Sequence, residues 1–217
     1  MEKAMTGISL ATSDMARILR QVTSDLKEHD EELRQLDAAI GDGDLGITVN
    51  LFARAMSEYL ENTKESDMGI LLSQCGLYVN KANPSTFGTI LATAFMGMGK
   101  MVKGKTRVEF SDLVPMGEGA VEAIQKRGKA QVGDKTVLDS LIPAVEALKQ
   151  AIENNAEPRL AIAAAVKAAE QGMKATANMK AKVGRAKMFQ DSSIGIQDGG
   201  ATAIYYMIES FARGLTA

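Results

Sequence analysis

The chain has 217 residues, 46% of them apolar and 24% charged, with a net charge of −2. That length suits one well-buried domain and is short for two, and the charge offers no basic field for nucleic acid or an anionic membrane surface. A single cysteine, Cys75, excludes an intrachain disulfide and a cysteine-based zinc cluster.

No apolar run approaches the ~18 residues of a membrane span, and Met1 to Met5 form no apolar signal core. These features predict a cytoplasmic protein. Aromatic residues are few, Trp is absent, and Ala and Met are plentiful, a mix that suits close-packed helices better than a sheet.

Ile8, Leu10, Met15, Ile18, Leu19, Val22 and Leu26 recur near the 3.6-residue period, which predicts a helix over 7–29. His29, the only histidine, ends it among Glu28, Asp30, Glu31 and Glu32, where a solvated side chain is expected. No His-dependent nucleophilic triad can be built elsewhere in the chain.

The next stretch organises the rest. Asp37-Ala38-Ala39-Ile40-Gly41-Asp42-Gly43-Asp44-Leu45-Gly46-Ile47-Thr48 places three carboxylates within eight residues, with glycines among them. Asp and Gly in alternation predict a loop. Carboxylates so close repel one another unless a cation or a basic group lies between them. Hard divalent cations fit, and Mg²⁺ typically combines one or two carboxylates with phosphate oxygens. A calcium EF-hand does not fit. Counting from Asp42 puts Ala53 at position 12, and counting from Asp37 puts Thr48 there, where a bidentate Glu is needed. A helix predicted over 45–62 would turn its N-terminal amides toward the carboxylates, where an anion is favoured. An acidic surface turn with Asp as a helix cap fits the same pattern.

A helix over 66–79 follows, then Lys81-Ala82-Asn83-Pro84-Ser85-Thr86-Phe87-Gly88-Thr89. Pro84 breaks the periodicity, and Ser85 or Thr86 can cap the next helix, about 86–102. Such a helix start could hold another part of a phosphate chain, or be only a capped turn. Gly99-Lys100-Met101-Val102-Lys103-Gly104-Lys105-Thr106 matches the spacing of a P-loop. A P-loop follows a buried strand and opens a helix; here the preceding residues are helical, so a glycine-ended helix and a basic loop are predicted.

Further helices are predicted over 111–127, over 137–152 with Pro143 kinking it or in its first turn, and over the Ala-rich 157–178. From Met179 the chain turns basic, through Lys180, Lys182, Arg185 and Lys187, with little apolar content as far as Ser193. A lid over the site and a solvated loop are both consistent with that. The last helix is predicted from near Gly195 to Arg213. Eight helical segments and no convincing strand imply an all-α, single-domain, up-and-down bundle. In such a bundle alternate loops share one end, so the carboxylate stretch, 81–86, 128–136 and 185–200 could meet.

Five motifs then resemble the nucleotide-binding L subunit of the bacterial dihydroxyacetone kinase family. They are Asp37-x₄-Asp42-Gly43-Asp44-x-Gly46, Phe87-Gly88-Thr89, Arg127-Gly128-Lys129-Ala130-x₂-Gly133-Asp134-Lys135-Thr136, Gly184-Arg185-Ala186, and Ser193-Ile194-Gly195-x-Gln197-Asp198-x-Gly200-Ala201-Thr202. They occur in the family's order and span nearly the whole chain, so the resemblance implies one L-type nucleotide-binding domain over 1–217. It implies an eight-helix barrel holding ADP or ATP at one end, with two Mg²⁺ on Asp37, Asp42 and Asp44. It places the phosphates at Leu45, Gly46, Ile47 and Thr48, and further nucleotide contacts at Ala82, Asn83, Gly128, Val137, Arg185, Asp198, Gly199 and Gly200.

The resemblance further implies a phosphotransferase of glycerone-kinase type with an alcohol acceptor, active with a partner and carrying no catalytic residue beyond the metal ligands. The acceptor, dihydroxyacetone or a related short keto-sugar, would be bound on a separate K subunit. The donor would be ATP, or bound ADP recharged by a phosphoryl carrier protein; a homo-oligomer is compatible. The chain departs from the family at three places. Leu45 stands where the family has His. Asn80-Lys81-Ala82-Asn83-Pro84 replaces a Gly-Gly-Ala-Ser-Gly loop. Ile196-Gln197-Asp198-Gly199-Gly200 replaces His-Gln-Asp-Pro-Gly. These departures keep open a non-catalytic, nucleotide-binding regulatory paralogue, and a fatty-acid kinase-like nucleotide domain or apolar-ligand carrier.

Overall fold

The structure, a computed structural model, describes residues 7–82 and 84–216. Met1 to Met5 and Asn83, about which the sequence raised expectations, lie outside the described residues. The first described element is a strand, β1 (Ser9–Ala11), followed by α1 (Thr12–Lys27) and α2 (Asp30–Ile40). Then come α3 (Leu45–Asn62), α4 (Met68–Ala82) and α5 (Thr86–Met101). A second strand, β2 (Arg107–Glu109), precedes α6 (Leu113–Gly128), α7 (Leu138–Glu153) and α8 (Pro158–Ala175). The 3₁₀ turns Arg185–Ser193 and then α9 (Gly199–Thr216) complete the chain.

Eight of the helices close a ring. α1 packs on α3, each of α3 to α8 packs on the next, α8 packs on α9, and α9 returns to α1. The main apolar core, with Met15, Ile18, Phe52, Leu71, Leu91 and Leu138 fully buried, draws on every helix of the ring except α8, whose Ala161, Ile162, Ala165 and Ala169 form two smaller clusters. The interior keeps an apolar cavity of about 210 Å³, bounded by residues such as Leu72, Phe95, Leu141 and Ile204. No described helix is long and apolar enough to cross a membrane.

Close approach of the helices needs small residues. A Cβ on Gly97 of α5 would lie 2.3 Å from the carbonyl oxygen of Gly119 on α6, and one on Gly119 would lie 2.7 Å from that of Gly97. The two backbones touch at that crossing, where an added methyl has no room.

The ring matches the eight-helix expectation, and among the described residues α2 is a ninth α-helix that the periodicity did not predict. It packs on α3, on α9 and on the 185–193 turns, across one end of the barrel. Only Leu33 and Ile40 of α2 are buried, so its apolar stripe is narrow. Asp30, Glu31 and Glu32 in its first turn suit the positive end of the helix dipole. Asp37 therefore lies in the last turn of a helix and not in a loop. Residues 9–11 are likewise strand and not the start of the first helix; they pair antiparallel with 107–109, Leu10 opposite Val108. Three-residue strands carry too little alternation to read from sequence.

Lys105 and Thr106 lead into β2 and not directly into a helix, so the Gly99–Thr106 stretch is no P-loop. His29, expected to be solvated, stacks on Tyr206 with ring centroids 3.7 Å apart and lies 3.5 Å from Glu32.

Candidate functional site

The up-and-down course brings four connections to one end of the barrel: 41–44, 84–85, 129–137 and 176–198. Together with the helix ends beside them they enclose a cavity of about 510 Å³. α3, α5 and α9 turn their N-termini to it, placing Leu45, Thr86, Phe87, Gly199 and Gly200 in its wall. Three positive helix ends around one cavity favour an anion. Ser85 caps α5, its Oγ accepting the Gly88 N–H at 3.0 Å, and Thr48 of α3 reaches the same hydroxyl at 3.3 Å.

The carboxylates gather at the edge of this cavity. Asp37, Asp42 and Asp44 each offer an oxygen within 4.8 Å of the others. Asp37 Oδ2 accepts the N–H of Asp44 at 2.9 Å and of Leu45 at 3.3 Å, which ties α2 to the start of α3. Burial raises the pKa of Asp37, the backbone donors oppose this, and the charges of Asp42 and Asp44 raise it further. A carboxylate held above its ordinary pKa gains from a neighbouring cation. Three hard oxygen donors converging in this way fit Mg²⁺. A cationic side chain already lies there. Arg185, from the 3₁₀ turns, pairs with Asp42 and lies 3.2 Å from Asp44. Its hydrogen bond to Asp44 raises its own pKa most.

Asp198 precedes α9 and accepts the Ala201 N–H at 2.7 Å, an N-cap bond at the helix start. Burial pushes its pKa up to about 6 against the Ala201 N–H and Lys135, with Asp139 and Asp37 adding to the rise. Leu45 is buried, and its Cδ2 occupies the place a Cβ on Gly199 would need, 2.9 Å away.

Of the residues expected to contact nucleotide, Leu45, Gly128, Val137, Arg185, Asp198, Gly199 and Gly200 line the cavity, as do Asp37 and Asp44. Asp42 joins them through Arg185. Gly46 and Thr48 are buried in α3, Ile47 is 62% exposed, and Ala82 is exposed at the end of α4; none of these four is in the wall. Residues given no role from sequence also line it, among them Ile90, Ile124 and Lys135. The Gly-Asp-Lys-Thr motif marked Lys135, but a lysine in a polar loop carries no sign of burial.

A helical ring with a carboxylate cluster and three helix N-termini at one end defines a class of helical barrels whose end suits an anion beside a cation. The chain belongs to the DAK2 domain family, whose model matches residues 39–213. It is 30% identical over 205 residues to the ADP-binding subunit DhaL of the PEP-dependent dihydroxyacetone kinase of Escherichia coli (strain K12), covering 94% of this chain and 98% of that relative. It is 34% identical over 194 residues to the triokinase/FMN cyclase of Homo sapiens, covering 89% of this chain and 33% of that protein.

Among solved structures, the native dihydroxyacetone kinase of C. freundii aligns with a TM-score of 0.69 at 25% identity, over 91% of this chain and 34% of that one. The same kinase in complex with AMP-PNP and Mg²⁺ aligns with a TM-score of 0.71 at 23% identity, over 98% of this chain and 36% of that one. The chain thus spans nearly all of the bacterial subunit and about a third of the longer kinases.

Proposed function

We propose that this chain is the ADP- or ATP-binding subunit of a dihydroxyacetone-type kinase, the phosphoryl group passing to a short keto-sugar held on a separate K-type subunit. One observation carries the reading: three carboxylates, an arginine and three helix N-termini meet at a single cavity. The near-full-length likeness to an ADP-binding subunit supports it. Asp37, Asp42 and Asp44 would hold Mg²⁺, two ions in our reading, which would neutralise phosphate charge when bound. The N-termini of α3, α5 and α9 orient the phosphates, and Arg185 shields the exposed face of the cluster. No side chain here serves as a histidine base, so catalysis on this chain rests on positioning and electrostatics, with the acceptor supplied by the partner.

A second reading rests on Leu45. Its apolar side chain occupies the first position of α3, beside the carboxylates, and donates nothing to a phosphate. This favours a paralogue that binds nucleotide and reports that state to a partner.

Calorimetric titration with ADP and ATP, with and without Mg²⁺, tests the common core of both readings. Mg-dependent binding in the wild type, lost in Asp37→Ala, is the expected result; unchanged affinity in the variant would remove the ligand assignment. Tight ADP binding supports recharging by a phosphoryl carrier protein, and weaker, exchangeable ATP binding supports direct use of ATP. A kinase assay with a reconstituted K-type partner then separates the kinase from the regulatory paralogue.

A further inference from the structure

Lys135 combines two costs at one residue. Its backbone is left-handed, with φ of +62°, and its side chain is only 1% exposed. A non-glycine residue in that conformation and a buried ammonium each cost free energy and persist only when the surroundings demand them. The surroundings here are four backbone carbonyls. Nζ lies 2.9 Å from the oxygen of Thr176, 3.2 Å from that of Met179, 2.6 Å from that of Ser193 and 2.5 Å from that of Ile196. Three N–H donors serve four acceptors, as a small cation would in a cage of carbonyl dipoles. Burial lowers the pKa of Lys135, and the charge of Asp198 opposes this.

The four carbonyls have a particular place in the chain. Thr176 and Met179 stand where the chain leaves α8, and Ser193 and Ile196 stand where it returns toward α9. Arg185 lies between the two pairs. Other bonds fasten the same base: the Gly195 N–H donates to the Ala177 carbonyl at 2.7 Å, and the Ala181 N–H to Ser193 Oγ at 3.0 Å. Thr176 Oγ1 accepts the Asp198 N–H at 2.9 Å, carrying the arrangement to the start of α9. One ammonium therefore gathers both roots of the segment that delivers Arg185 to the carboxylates.

We propose that Lys135 is the positioning residue of the site, an internal cation that holds the two roots of 176–196 together and so fixes Arg185 over Asp42 and Asp44. The consequence for nucleotide rests on the function proposed above. The hold on the segment does not.

The test uses Lys135→Gly, because glycine accepts the left-handed backbone and isolates the loss of the ammonium. In the nucleotide-free protein, amides of 177–196 exchange faster with solvent than in the wild type, while those of α4 and α5 keep their protection. Mg·ADP affinity falls on the order of 10- to 100-fold, the usual range for an outer partner of a metal site. Arg185→Ala lowers affinity similarly, and the double variant loses little more than either, since both act through one segment. Added n-butylammonium restores protection and affinity in Lys135→Gly, and tetramethylammonium at equal ionic strength does not. Unchanged exchange in 177–196 overturns the proposal. So does accelerated exchange across the whole bundle, because Lys135 would then hold the fold and not the segment. If the wild type binds no Mg·ADP, the nucleotide reading fails, and the exchange and amine-rescue results still decide the role of Lys135.

Discussion

Asp198 carries the sharpest electrostatic conflict in the site. Its pKa of about 6 stands above the ordinary 3.8, because burial and the nearby Asp139 and Asp37 outweigh the Ala201 N–H and Lys135. A pKa raised on folding contributes stability that is complete below about pH 4 and is lost as pH rises through about 6. Near pH 8 the ionised Asp198 should cost the nucleotide-free protein on the order of 1–3 kcal/mol. Asp198→Asn should therefore stabilise that form in urea melts at pH 8 and do so much less near pH 5. An equal gain at both pH values would show that the carboxylate is not held in this state.

A second conflict is steric and already resolved. Leu45 and Gly199 stand far apart in sequence, yet Leu45 Cδ2 fills the space of a Cβ at 199. Gly199→Ala should cost about 1–3 kcal/mol by overpacking, and Leu45→Ala in the same chain should recover most of that increment. Additive losses in a double-mutant cycle would mean the two positions do not share this space. Each departure was visible in the sequence alone. Their contact was not, because nothing local links the two positions.

Helices with broad apolar stripes were legible to within a few residues. α3, α5 and α7 carry unbroken periodicity, and Ser85 announced the start of α5. α2 was missed for a physical reason: it spans one end of the barrel, buries little, and carries in its last turn the aspartate that looked like loop. The 185–193 turns showed only basic composition, and their pairing with Asp42 and Asp44 depends on where α8 and α9 deliver them. Gly97 and Gly119 fell inside predicted helices, but nothing in the sequence showed which backbone each would meet. Gly97→Ala must part α5 from α6, since its Cβ would fall 2.3 Å from a backbone oxygen. It should cost about 1–3 kcal/mol, lowering the melting temperature by roughly 2–4 °C for each kcal/mol. Gly128→Ala at the end of α6 meets nothing within 4 Å and should be neutral or slightly stabilising, by up to about 1 kcal/mol. Equal melting shifts in the two variants would refute the close α5–α6 crossing.

Closure of the ring is what turns four separated stretches of sequence into one site. Alternation of up and down helices predicted which connections share an end; it could not show that the ring closes, or that three helix N-termini converge there. Because the main core joins seven of the barrel helices and two smaller clusters tie α8 to α7 and α9, we propose that the chain unfolds as a single unit, with one cooperative transition and equal calorimetric and van't Hoff enthalpies. The site lies between elements from both halves of the chain, so a ligand bound there stabilises the whole. Mg·ADP at a hundred times its dissociation constant should add about 2.7 kcal/mol, raising the melting temperature by roughly 5–10 °C. ADP with a chelator should give little of this, because its phosphates would face Asp37, Asp42 and Asp44 with Arg185 in place of Mg²⁺ against those carboxylates. The same shift with and without Mg²⁺ would mean that the helix N-termini and Arg185 suffice to hold the phosphates, and the carboxylate cluster would then need another role.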